Sequence, residues 1–267
     1  MIKRAEKENY EAVINYLDNG GSINTTLLSY IEKYGFEKDF QDVWLYTDNG
    51  ENIHAILMKH FNSLYIYSGG SFVDEKELGS FIAFIGPDII SGDIIILSGV
   101  SLFLGSMILE PSTHMVLKNA DMLRPCKRVE KAGLEDCKEL AGLIFSIPEF
   151  SRFYQSPEEI ERGIRRRMEM GICRYFVLKI NGVIASQAYT TIESSKYATI
   201  GGVVTREEYR KHGLASLVVS CICKDILKDN KTPNLFYSNE KAGRIYEKLG
   251  FVHAGDYAML LDYKYKV

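Results

Sequence analysis

Residues Arg210 to Ser216 read RKHGLAS: three basic or polar side chains, a glycine, and then an apolar run at helical spacing. A helix N-terminus leaves backbone N–H groups unpaired and carries the positive end of the helix dipole, so such a turn can cradle an anion. Gly213 has no side chain to hold a ligand away from the backbone. Leu214, Ala215 and Ser216 would supply N–H donors, and Arg210, Lys211 and His212 add positive or polar character beside them. The same residues also suit an ordinary strand-to-helix turn, and both readings are open on the hexamer alone. Neither GxxxxGK[ST] nor GxGxxG occurs, which sets aside the common nucleotide loops. Upstream, Gly201 and Gly202 interrupt the β-branched run YATIGGVVT, as expected at a bulge, a bend, or a place where a ligand runs along the backbone. Downstream, NEKAGRIYEKLGF offers Asn239 as a helix cap, Ala242 as a small residue, and Tyr246 one turn later on the same face. A tyrosine so placed either packs or presents its phenol to something bound.

The elements that must hold these residues are legible around them. Runs 174–180, 183–193, 197–205 and 234–238 are strand-like, and Asn181-Gly182 between the first two is a strong hairpin signal. The stretch 214–227 is apolar nearly all round, which predicts a buried helix. A second helix over 240–249 closes at Gly250, and a final strand is expected at 256–263. Before them lie a strand and helix in VEKAGLEDCKELAGLIF and a helix over 156–170, opened by serine, proline and two glutamates. The order is β-α-α-β-β-β-α-β-α-β-β, one domain's worth of chain. The earlier residues predict a smaller mixed α/β domain. Its strands are 43–47, 53–61, 63–69, 93–97 and 114–118, with a turn at DNGEN and a helix over 74–86. Nothing in that part groups into a catalytic constellation.

With 267 residues, 46% hydrophobic and 25% charged, the chain is long enough for two domains. The boundary is expected in KNADMLRPCKR, where an apolar stretch gives way to polar residues and a proline, dividing 1–120 from 128–267. A net charge of −3 gives no global attraction to polyanions, and the patch RGIRRR, Arg162 to Arg167, reads as a solvated helix face; no nucleic-acid partner is expected. No apolar run is long enough to span a bilayer and the N-terminus lacks a signal-peptide core, so a cytoplasmic protein without membrane contact is expected. The five cysteines are scattered and never paired as CxxC, which argues against a disulfide framework and a zinc site. No metal is expected, and the chain is expected to be a monomer or homodimer.

Taken together, strand, R-x-x-G-x-A, buried helix, strand and N-x-x-A-x-x-x-Y-x-x-x-G-F resemble the GCN5-related N-acetyltransferase (GNAT) superfamily over roughly residues 128–263. The resemblance implies a mixed, mostly antiparallel sheet flanked by helices. It implies that the turn from Arg210 to Ser216 holds the pyrophosphate of acetyl-coenzyme A and that the coenzyme arm pairs with Val203, Val204 and Thr205 on a strand splayed from its neighbour. It further implies that Asn239 and Ala242 border the coenzyme and that Tyr246 protonates the leaving thiolate. The implied reaction is transfer of an acetyl group to a primary amine, here expected on a small molecule. A protein or peptide amine, and a non-catalytic coenzyme-binding module, are the open alternatives. One departure stands out: many family members carry a glutamate eleven residues before the motif arginine as general base, and here that position is Thr199. Threonine cannot take that role, so either the amine arrives partly deprotonated or Glu193, a water chain or a residue of the first domain does the work. The aromatics Phe150, Phe153 and Tyr154 either wall the acceptor pocket or pack between helices. The first domain is read as a degenerate second copy that contributes to the acceptor site.

Overall fold

Aromatic and β-branched runs become strands, and the capped amphipathic runs between them become helices, in a computed structural model that describes residues 1–49, 51–105, 107–262 and 265. The described residues divide into two compact units, Met1–His114 with Ala254–Asp262, and Met115–His253. Both are mixed α/β with mostly antiparallel strands.

The first unit contains β1 (Ile2–Arg4), α1 (Tyr10–Gly20), α2 (Thr25–Tyr34), β2 (Glu37–Lys38), β3 (Gln41–Thr47), β4 (Ile53–His60) and β5 (Ser63–Tyr67). It continues through α3 (Glu75–Ile85), β6 (Ile89–Asp93), α4 (Ile94–Ser101) and the first part of β7 (Ile108–Leu117). The expected helix over 74–86 forms as α3. Asp74 caps it by accepting from the backbone N–H groups of Lys76 at 2.9 Å and Glu77 at 3.0 Å. The expected strand at 93–97 is not there: β6 ends at Asp93, and α4 follows. The cause is Asp93 itself, whose side chain accepts from the Ile96 N–H at 3.0 Å and caps a helix that the short apolar run IIIL could not announce by periodicity. Gly50, in the expected turn DNGEN, lies outside the described residues.

The second unit runs β8 (Val129–Lys131), α5 (Cys137–Phe145), α6 (Pro148–Ser151), α7 (Pro157–Glu169), β9 (Tyr175–Ile180), β10 (Val183–Glu193) and β11 (Tyr197–Thr205). It then runs α8 (Leu214–Lys228), β12 (Thr232–Tyr237), α9 (Glu240–Glu247) and the start of β13 (Phe251–Leu261). Asn181 and Gly182 take φ values of 51° and 80°, the positive pair a tight hairpin turn requires. One sheet face packs α8: Phe176, Ala185, Ala188, Ala198 and Ile200 meet Val218, Val219, Ile222 and Ile226. The other packs α5 and α7: Tyr175, Val177, Ile184 and Val204 meet Leu140, Ile144, Ile160 and Ile164.

Two features go beyond the sequence. First, the units repeat one order of elements. In each, a short strand and helices precede three antiparallel strands; a helix then crosses to a parallel strand, β5 to β6 in one and β11 to β12 in the other. Second, the chain's last element is a single long strand. From Tyr257 to Leu261 it pairs antiparallel with β6, so this part of the strand completes the sheet of the first unit. Tyr263, in the strand expected at 256–263, lies outside the described residues.

Candidate functional site

The turn Arg210–Gly213 has the anion-cradle geometry. α8 starts at Leu214, and its N-cap Gly213 sits in the left-handed region at φ 73° with no side-chain cap. Lys211 is also left-handed, at φ 67°. No side chain occupies the first N–H groups of α8, in contrast to α3, where Asp74 takes them. Arg210 Nε donates to the Thr205 carbonyl at 3.2 Å, which folds the turn against the end of β11. Arg210, Lys211 and His212 are exposed, Gly213 and Ala215 are half-buried, and Leu214 and Ser216 are buried. A residue the sequence did not single out borders the turn: a Cβ on Gly213 would meet Arg124 Nη1 at 3.4 Å. Arg124 is fixed there because its N–H donates to Ser220 Oγ at 3.0 Å and its carbonyl accepts from Lys224 Nζ at 3.0 Å. The sequence signal was only a basic linker, and folding places that linker on α8.

Strand β11 opens beside the turn. It pairs with β12 only from Tyr197–Thr232 to Ile200–Leu235, so from Gly201 to Thr205 its β12-facing edge carries no partner from that strand. On its other side the register jumps from Gln187–Val204 to Tyr189–Gly201, leaving Gly202 and Val203 opposite Ala188 alone. This is a bulge, and Gly202 takes φ 54° to form it. The paired glycines are therefore a bulge beside an open edge, and Val203, Val204 and Thr205 line that edge.

Asn239 caps α9 by accepting from the Lys241 N–H at 2.9 Å. Ala242 and Tyr246 lie one turn apart and both pack toward the α8 core. Tyr246 is 6% exposed, with ring centroids 6.0 Å from Tyr237 and 6.0 Å from Phe251. Burial, reinforced by the nearby Cys223 thiol, pushes its phenol well up, so it stays protonated.

Neither Thr199, at the position where the family's glutamate would stand, nor Glu193, the named replacement, offers an active-site acid. Thr199 is buried and donates to Asn234 Oδ1 at 3.0 Å. Burial pushes the Glu193 carboxyl up, but Arg174 at 2.8 and 2.9 Å and Lys231 at 2.9 Å outweigh it and hold it at about 2. A carboxylate so held is a structural ion, not a proton acceptor near neutral pH. Of the expected pocket aromatics, Phe150 packs into the α5–α7 core, while Tyr154 comes within electrostatic reach of Tyr175 and Tyr189. Among the described residues no group of three or more His, Cys, Asp or Glu is placed to hold a metal, and no helix is long and apolar enough to cross a membrane.

Comparison with known proteins agrees with this geometry. Residues 171–260 match the sequence model of the GNAT acetyltransferase family. No curated protein sequence matches the chain. A GCN5-related N-acetyltransferase from Sphaerobacter thermophilus shares the fold at a TM-score of 0.62 and 15% identity, over 97% of this chain and 94% of that one. A GCN5-related N-acetyltransferase-like protein from Streptococcus suis does so at 0.59 and 15%, over 96% and 99%. A tandem GNAT protein from the clavulanic acid biosynthesis pathway matches at 0.57 and 11%, over 97% of each chain, in keeping with the repeated order of elements. With the uncapped helix, the bulged open strand and the capped tyrosine helix all inside the matched segment, residues 171–260 carry the sequence pattern of the GNAT acetyltransferase family on a GNAT-like fold.

Proposed function

We propose that the second unit is an N-acetyltransferase that moves an acetyl group from acetyl-coenzyme A to a primary amine of a small molecule. One observation carries the reading: an uncapped helix N-terminus stands at the end of a strand whose edge is open from Gly201 to Thr205. The residues present fit the coenzyme. The N–H groups of Leu214, Ala215 and Ser216, with Arg210, Lys211 and Arg124 beside them, would hold its phosphates. His212 and Gly213 shape the approach, and Val203, Val204 and Thr205 offer backbone groups to its arm. Asn239 and Ala242 face the same opening in this reading. When bound, acetyl-coenzyme A supplies an activated acyl group as a thioester.

The chain's own residues then do three things. The bulge at Gly202 frees a backbone N–H of Val203 to polarise a carbonyl. Tyr246, kept protonated by burial, gives its proton to the departing thiolate. The scaffold holds the amine and acyl group together, which is where most of the rate gain in such a transfer arises.

Calorimetry with acetyl-coenzyme A and a turnover assay across a panel of amines test the reading. Gly213→Val should weaken coenzyme binding at least about tenfold, about 1.4 kcal/mol, because it places a side chain at the cradle and strains a left-handed residue. Unchanged affinity removes the assignment. A second reading, a coenzyme-binding module without turnover, is favoured by Thr199 being tied to Asn234 and Glu193 to its cations. Binding without turnover of any amine would select it.

A further inference from the structure

We propose that the acceptor is an amino acid, an amine carrying its own carboxylate, and that Arg167 binds that carboxylate; this rests on the transferase reading above. In that reading the coenzyme arm lies along the open edge of β11 and its reactive end reaches the bulge at Gly202. An acceptor must then approach the bulge from the α5–α7 face. On that face the Tyr189 ring lies directly over Gly202, so that any Cβ there would collide with it. Tyr189 stacks on Tyr175 with centroids 4.8 Å apart and an interplanar angle of 22°. Tyr154, 39% exposed, stands at the outer end of this group. The Arg167 guanidinium lies 5.6 Å from the centre of the Tyr189 ring.

The charge balance of this cluster selects the ligand. Burial pushes the Tyr175 and Tyr154 phenols up and Tyr189 up to about 12, so all three are neutral. Arg167 is half-buried, and among the described residues no carboxylate pairs with it, whereas Arg165 and Arg206 each have one and Arg174 has three. Its Nη2 donates to the Thr190 carbonyl at 2.8 Å and the Thr191 carbonyl at 2.7 Å, which fixes its direction and leaves Nε and Nη1 donors. The nearby thiol of Cys173 is within its hydrogen-bonding reach, and burial raises that thiol, so it adds no negative charge. The acids that face the group are accounted for: Glu159 accepts from the Gln155 N–H at 2.8 Å, and Glu193 is held by Arg174 and Lys231. A second polar feature also lacks a partner. Gln187 is 0% exposed, two residues before Tyr189 and hence on the same face, and neither its Oε1 nor its Nε2 is hydrogen-bonded. Buried amides are costly without partners, so the site is short of both an anion and a hydrogen-bonding group. An amino acid supplies both, and a polyamine would meet an uncompensated positive charge.

The experiment pairs α-, β- and γ-amino acids with their decarboxylated amines as acceptors for acetyl-coenzyme A. In parallel, calorimetry follows N-acetyl-amino acids and the matching N-acetylamines binding to protein saturated with coenzyme A. Expected are an at least about tenfold preference in kcat/KM for one carboxylate-bearing acceptor, and loss of that preference in Arg167→Gln with coenzyme affinity unchanged. Arg167→Lys should restore part of it. Equal use of an amino acid and its decarboxylated amine, or equal loss on both in Arg167→Gln, overturns the proposal. If coenzyme binds and no amine is turned over, the transferase reading fails. The calorimetry still decides this inference: no N-acetyl-amino acid bound, or binding indifferent to Arg167→Gln, overturns it.

Discussion

Tyr246 and Glu193 show how burial alone does not assign a chemical role. Both are largely withdrawn from water, yet one phenol is held protonated in an apolar core while one carboxylate is held ionised by Arg174 and Lys231. Tyr246→Phe preserves the ring packing against Tyr237 and Phe251 and removes only the proton donor. Turnover should fall roughly 10² to 10⁴-fold with coenzyme affinity nearly intact, by steady-state kinetics and calorimetry. A change within a factor of about two would make Tyr246 a packing residue. For Glu193 the folded-state value of about 2 lies below the ordinary 4.5. Its contribution is therefore present above about pH 4.5 and is lost as pH falls toward 2. The stability gap between the protein and Glu193→Gln in urea unfolding should be constant near neutrality and shrink on acidification through that window. A gap independent of pH would show that the ion pairs add nothing.

Helix α9 is the element on which cap and site coincide. Asn239 holds the helix start through its Oδ1, and Tyr246 rides two turns further on. Asn239→Ala should cost about 1 kcal/mol of stability in denaturant titration, the usual worth of such a cap. Asn239→Asp keeps an accepting oxygen and should recover most of that stability. Coenzyme affinity that stays low in Asn239→Asp would assign the lost amide Nδ2 to the ligand, whereas full recovery would leave Asn239 as a cap alone. The bulge on β11 works at the same scale: one residue pair, Gly202 and Val203, interrupts the ladder with β10, just beyond the point where the pairing with β12 ends at Ile200–Leu235.

Across the whole molecule the two units share an order of elements and differ where chemistry would occur. The helix after the third antiparallel strand begins uncapped at Gly213 in one unit, while in the other it begins with Asp74 on its N–H groups and Glu75 and Glu77 in its first turn. An anion has no room at that second helix start, and carboxylates repel it. Titration calorimetry should therefore give one acetyl-coenzyme A per chain; a stoichiometry of two would overturn this reading of α3. The last strand adds a folding consequence. Residues Tyr257–Leu261 belong to the first unit's sheet through β6, so that unit is built from segments far apart in the chain.

The sequence by itself determined the second unit's elements almost completely. Asn181-Gly182, the apolar helix after Gly213 and the capped run after Asn239 each depend on interactions within a few residues, which local chemistry encodes. The spacing of Arg210, Gly213, Asn239 and Tyr246 carried the family resemblance for the same reason. In the first unit, local signals gave α3 and three strands but missed α1 and α2 and took 93–97 for a strand, because a four-residue apolar run carries no period. Only the tertiary structure decided what distant residues do together. Arg124, a linker residue in sequence, borders the turn at Gly213. Arg167, one charge in a basic run, lies over the Tyr189 ring, and Glu193 is closed by Arg174 and Lys231. Cys126 and Cys221, far apart in the chain, come within hydrogen-bonding reach. These outcomes depend on which faces and edges are brought together, and a charge or an amide acquires its role only when its neighbours, or their absence, are fixed in space.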